Sequence, residues 1–139
     1  MAALVVGYDG SAQGEAALEG ALALAPQLGD EIVVVFGYAP PGIWGGEIAE
    51  HEEAIEEFGE RVTKQAREQA SARGVEIEIE LVARRPAEAL IEVGDDRNAR
   101  MIIVGSHGES QLKGMILGST ANKLLHLSDR PVLVVPAKS

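Results

Sequence analysis

The chain alternates short β-branched runs with longer stretches in which apolar residues recur every three or four positions. Leu4 to Tyr8, Glu31 to Tyr38, Val75 to Val82, Met101 to Gly105 and Pro131 to Val135 read as strands. Between them, Ala17, Leu18, Ala21, Leu22 and Ala25 fall on one helical face, as do Ile48, Ile55, Phe58 and Val62. A third helix opens at Pro86, a residue suited to a first helical turn, and carries Ala89, Leu90 and Val93; a fourth follows Gly118. This alternation predicts an α/β fold, a three-layer sandwich in which helices cover both faces of a five-stranded parallel sheet.

Strand character suggests the order. Leu4-Val5-Val6, Val33-Val34-Val35 and Ile102-Ile103-Val104 are apolar on both faces, as in strands covered above and below, and are expected at the centre. The third strand alternates Glu76, Glu78 and Glu80 with Ile77, Ile79 and Leu81, so its charges are expected to guard an edge. With right-handed crossovers, a doubly wound order 3-2-1-4-5 satisfies both. It leaves Val132-Leu133-Val134-Val135 as an unguarded apolar edge, which predicts a homodimer through that strand, self-paired across a two-fold axis.

At 139 residues and 46% hydrophobic, the sequence suits a single domain spanning residues 1–139. No apolar run reaches the roughly 18 residues of a membrane span, and Met1 to Tyr8 lacks the basic flank of a signal peptide, so a cytoplasmic protein with no membrane partner is expected. The absence of cysteine removes disulfides, thiolate metal sites and cysteine nucleophiles. A net charge of −10 disfavours nucleic acid. It still permits a small phosphate ligand, because screening limits distant surface charge to about 8 Å while backbone N–H groups act at contact. The acids Glu50, Glu52, Glu53, Glu56, Glu57 and Glu60 read as one solvated helix face. The one long connector, Ala39 to Gly46 with Trp44, is a plain crossing or a lid.

The chemistry concentrates where the fourth strand ends. Gly105-Ser106-His107-Gly108 is followed, after nine intervening residues, by Gly118-Ser119-Thr120 at the start of a helix. Glycine at a strand end lets backbone approach a ligand, and a helix N-terminus offers unpaired N–H groups and a positive dipole end to phosphate oxygens. In a 3-2-1-4-5 sheet these loops flank the switch point between strands 1 and 4, where ligands bind outside the carboxyl ends. The first strand ends there too, in Tyr8-Asp9-Gly10-Ser11, with Ser11 placed to cap the first helix. Asp9 could accept from a ribose or adenine group, or reach a phosphate-bound Mg²⁺ through water; no direct protein ligand to a metal is expected. No G-x-x-x-x-G-K-[ST] occurs, no G-x-G-x-x-G follows the first strand, and the second ends in Tyr38-Ala39-Pro40 without an acidic ribose partner. A phosphoacceptor receiver domain would want more acids near Asp9 and a lysine just after the fifth strand, where Pro136 and Ala137 come first.

From Leu4 to Pro136 the chain resembles the universal stress proteins. The nucleotide signature of that family, Gly-x2-Gly-x9-Gly-(Ser/Thr), is met at Gly105, Gly108, Gly118 and Ser119. Val6 to Ser11, Pro86 to Leu90 and Pro131 to Pro136 resemble its first strand and loop, third helix and closing strand. The resemblance implies an adenine-nucleotide-hydrolase-like fold of the ATP-binding branch, a stress-response role and a homodimer, with ATP or another adenine nucleotide as cofactor and Mg²⁺ on its phosphates. It implies that Gly7, Tyr8 and Asp9 face the nucleotide and that the backbone near Gly37 meets adenine. Val104, Gly105, His107 and Gly108 would meet ribose and phosphate, and Gly118, Ser119 and Thr120 the phosphates. Arg84 and Arg100 depart from the family pattern without touching the signature.

No catalytic residue stands out. Hydrolysis would need a group positioning water at the γ-phosphate, and His107 reads better as a hydrogen-bonding or solvent-facing residue. Lys113 and Lys123 could neutralise charge without chemistry. The expectation is therefore an ATP-binding regulatory module, with a slow ATP hydrolase or a nucleotide-free partner-binding protein as alternatives.

Overall fold

The computed structural model describes residues 2–38, 48–106 and 118–137. In chain order the elements are β1 (Ala3–Gly7), α1 (Ala12–Leu28), β2 (Glu31–Gly37), α2 (Ile48–Ser71), β3 (Glu78–Val82), α3 (Pro86–Asp96), β4 (Met101–Gly105), α4 (Ser119–Leu127) and β5 (Val132–Val135). The sheet is parallel throughout and runs β3-β2-β1-β4-β5, the order expected from the doubly apolar runs.

Alternation along each central strand divides the interior into two cores. Leu4, Val6, Ile32, Val34 and Ile103 point toward α1 and α2, where they meet Leu18, Ala21, Ala25, Val62 and Ala66. Ala3, Val5, Val33, Val35, Ile102 and Val104 point the other way, onto Ala89, Leu90 and Val93 of α3 and Ala121 and Leu124 of α4. Successive strand side chains alternate faces, so a strand covered on both sides has no polar position to spare. Helix ends are set locally. Ser11 accepts from the Gly14 N–H at the start of α1, and Gly29 ends that helix in the left-handed conformation, its N–H returning to the Ala25 carbonyl.

Several boundaries differ from the sequence reading. β1 begins one residue earlier, at Ala3, and β2 ends at Gly37, although the N–H groups of Tyr8 and Tyr38 still donate to neighbouring strands. β5 starts at Val132 because Pro131 has no N–H to give the ladder. β3 starts at Glu78 rather than Val75. The turn that ends α2 extends to Val75, whose N–H donates to the Ala70 carbonyl, and the first β2 partner on this side is Val33, opposite Glu78.

Two of the three glutamates expected to guard the β3 edge, Glu78 and Glu80, share a partner. Arg97, just after α3, reaches Glu78 at 2.7 Å and Glu80 at 3.0 Å, with Glu31 of β2 at 3.9 Å, so they fasten α3 to the sheet. Leu81 on the same strand is 45% exposed, so the edge is less polar than its alternation suggests. The connector at residues 39–46, including Trp44, lies outside the described residues.

Candidate functional site

The strand order reverses between β1 and β4, and a cleft opens at the carboxyl ends of these two strands. It is walled by Gly7, Tyr8 and Asp9 from β1 and its loop, Val35 to Gly37 from β2, and Val104 and Gly105 from β4. Three helix N-termini converge on it: α1 through Ser11, Gln13 and Gly14, α3 through Pro86 and Leu90, and α4 through Gly118, Thr120 and Ala121. Each brings backbone N–H groups and a partial positive charge, which makes the cleft receptive to anions in a chain of net charge −10.

Asp9 is the only carboxylate on the cleft wall among the described residues. Its Oδ1 accepts from the Ser11 N–H at 3.0 Å and from the Ser11 hydroxyl, and the same hydroxyl accepts from the Gly14 N–H at 3.2 Å. One carboxylate oxygen is thereby held by the loop, while a carboxylate has lone pairs on both oxygens and keeps capacity for a ligand donor. Gly10 makes the loop possible, with φ at +83°. Tyr8 is 3% exposed, and its hydroxyl has no hydrogen bond of good geometry among the described residues. Burial first, then the negative charges of Glu15 and Asp9, push that hydroxyl up to about 12, against a lowering by the Gln65 amide, so it stays protonated.

β4 delivers its last residue against α1. Gly105 packs on the Gln13 backbone, where any β-carbon would meet the carbonyl oxygen at 2.6 Å. Gln13 is buried, and its Oε1 accepts from the Ser106 hydroxyl at 3.4 Å. The Ser106 carbonyl in turn accepts from the Gly118 N–H at 2.6 Å, which ties the end of β4 to the start of α4. Gly118 is the N-cap of α4 in extended backbone (φ −70°, ψ 166°), and having no side chain it supplies no acceptor to the amides of the first turn.

Of the residues singled out in the sequence, Gly7, Tyr8, Asp9, Gly37, Val104, Gly105, Gly118 and Thr120 line this one cleft. Ser119 is exposed and off its wall. His107, Gly108 and Lys113 lie outside the described residues. The Gly118 N–H, expected to meet phosphate, donates to Ser106 instead. The α-carbon of Gly37 faces Pro86 and Ala89, where a β-carbon would come within 3.0 Å, so this glycine also sets the approach of α3. Lys123 is paired with Glu88 of α3, and this ammonium, first through its hydrogen bond, holds the Glu88 carboxyl below the usual carboxylate range. Arg84 is exposed and off the cleft wall, and Arg100 pairs with Asp30 at the opposite end of the sheet. Sequence reading did not assign Gln13, Gly14, Val35, Phe36, Leu90 or Ala121 to the site. Their one signal was position, beside Gly37 on the second strand or near the starts of helices expected at the switch point.

Comparison with known proteins places this geometry among relatives. The model of the Universal stress protein family matches residues 1–136. Universal stress protein YxiE of Bacillus subtilis is 31% identical over 143 aligned positions, covering 95% of this chain and 97% of that protein. Among solved structures, protein MJ0577 of Methanocaldococcus jannaschii superposes with a TM-score of 0.85 at 24% identity, covering 99% of this chain and 97% of that one. A universal stress protein in complex with cAMP superposes with a TM-score of 0.76 at 26% identity, covering 99% and 98%.

Proposed function

The chain belongs to the universal stress protein family, and from that premise we propose that it binds an adenine nucleotide, ATP foremost, in the cleft between β1 and β4 as a cytoplasmic regulatory module. The observation that carries this reading is the meeting of the Asp9 loop, the Gly105 strand end and the uncapped start of α4 at one switch point. Asp9 would accept from the nucleoside, and the wall from Val35 to Gly37 would receive the adenine. The signature glycines Gly105 and Gly108, with Val104 and His107 beside them, would bring backbone close to ribose and phosphate. With the Gly118 N–H engaged, the first-turn amides of α4 and the Thr120 hydroxyl are donors for phosphate oxygens among the described residues, and the Ser119 hydroxyl would have to turn in from beside the wall. Mg²⁺ would arrive on the phosphates, which suits a wall with one carboxylate among the described residues, since such sites draw most ligands from phosphate and water. The relative solved with cAMP supports an adenine nucleotide as the ligand class.

Binding rather than turnover is the function proposed, because no general base lines the cleft beside the α4 N-terminus among the described residues. We further infer that two copies pair through β5, which has a sheet neighbour on one side only among the described residues. Mass spectrometry of small molecules released by denaturing natively purified protein tests the ligand assignment. An adenine nucleotide near one per chain is expected. Protein that carries none, and takes up neither ATP, ADP nor AMP on incubation, overturns it.

A further inference from the structure

The loop that carries Asp9 is held from behind by α2, a helix with no residue on the described cleft wall. The Gln65 side chain, on α2, donates from Nε2 to the Gly10 carbonyl at 3.2 Å and to Glu15 Oε1 of α1 at 2.5 Å. Both acceptors are oxygens, so the amide presents its NH₂ to them. Gln69, one turn on, donates to the Glu15 backbone carbonyl at 2.8 Å, and the buried Val62 closes under Gly10 from the same helix.

The Gly10 carbonyl and the Ser11 N–H belong to one peptide plane and point in opposite directions. The N–H side holds Asp9 Oδ1, and the carbonyl side is held by Gln65. A rotation of this plane that breaks one bond breaks the other. Gly10, at φ +83°, is the residue whose backbone most readily permits such a rotation. We propose that Gln65 is a positioning residue of the cleft, which through the Gly10–Ser11 peptide fixes the Asp9 carboxylate and so couples the seating of α2 to nucleotide affinity. The proposal rests on the nucleotide reading above.

The test is a double-mutant cycle. Affinities for MgATP and MgADP are measured by calorimetry for the wild type, Gln65→Met, Asp9→Ala and the double variant, with folding checked by circular dichroism. Gln65→Met keeps the length of the side chain and removes the donor. A lost neutral hydrogen bond predicts affinity about three- to tenfold weaker in the wild-type background. In the Asp9→Ala background the same change is expected to shift affinity less than about twofold, because the group through which Gln65 acts is gone. Unchanged affinity in Gln65→Met, or the same factor in both backgrounds, overturns the positioning role. If Gln65→Met does not fold, Gln65→Leu, which also removes the donor and adds no charge beside Glu15, replaces it with the same expected outcomes. A folded wild type that binds neither nucleotide overturns the nucleotide reading itself, and the inference with it.

Discussion

Gly105 rests on the backbone of Gln13, so close that a β-carbon would stand 2.6 Å from the Gln13 carbonyl oxygen and 2.7 Å from its Cβ. The contact joins the end of β4 to the first turn of α1, and backbone on both sides leaves neither partner room to yield. Gly105→Ala should therefore destabilise the fold by about 1–3 kcal/mol through overpacking. Urea titration followed by circular dichroism checks this. An unchanged midpoint and slope would mean that the two elements separate freely.

Asp30 and Arg100 join the loop after α1 to the start of β4, with the Asp30 side chain 1% exposed beneath the guanidinium. The hydrogen bond from Arg100 holds the Asp30 carboxyl below its ordinary value of 3.8. A lowered folded-state value means stability that is present above the unfolded value and lost as pH falls through the folded one. Arg100→Leu should thus be less stable than wild type by a constant margin above about pH 5. The margin should shrink below pH 3.8, as the carboxyl takes up its proton. Urea midpoints measured from neutral pH down through the carboxylate range check the shape. A margin independent of pH would assign the effect to packing alone.

Turnover should be slow. With Mg²⁺ and excess ATP, phosphate release is expected far below the ~1 to 10³ s⁻¹ of ordinary enzymes, since Asp9, the one carboxylate on the described cleft wall, is held by the Ser11 loop and assigned to the nucleoside. A rate within that range that disappears in His107→Ala would make the protein a hydrolase.

β5 presents Val132 and Val134 on one face and Leu133 and Val135 on the other, all partly buried within one chain. Its outer backbone edge has no strand beside it among the described residues. If two copies pair there, Val134→Lys should break the dimer, because symmetry sets the new charge against its own copy in an apolar seam. Sedimentation of wild type and variant at micromolar concentration decides it. A monomeric wild type, or a variant dimer of undiminished strength, contradicts pairing through β5.

The sheet order could be read from the chain because burial on both faces leaves a plain trace: Leu4 to Val6, Val33 to Val35 and Ile102 to Val104 carry no polar residue at any position. Helix starts were equally plain at Pro86 and Gly118, which act locally. The start of β3 was not, since Val75-Glu76-Ile77 alternates like a strand while its first residue is taken up by the end of α2. Gln65 was beyond reach for another reason. Glutamine has no motif of its own, and the Gln65 contact spans 55 residues of sequence, so only the packing of α2 on the β1–α1 loop reveals it.

The central claim is that the cleft at β1 and β4 holds an adenine nucleotide through the start of α4, and titration of MgATP into wild type and Gly118→Val tests it most directly. The backbone of Gly118, at φ −70° and ψ 166°, is one that any residue can adopt, so valine should leave the fold intact while its branched side chain crowds the phosphate end of the cleft. Saturable binding near one nucleotide per chain in the wild type is expected, weakened at least about tenfold in a variant with an unchanged circular dichroism spectrum. No binding in the folded wild type at millimolar MgATP, or equal affinity in both proteins, would contradict the account.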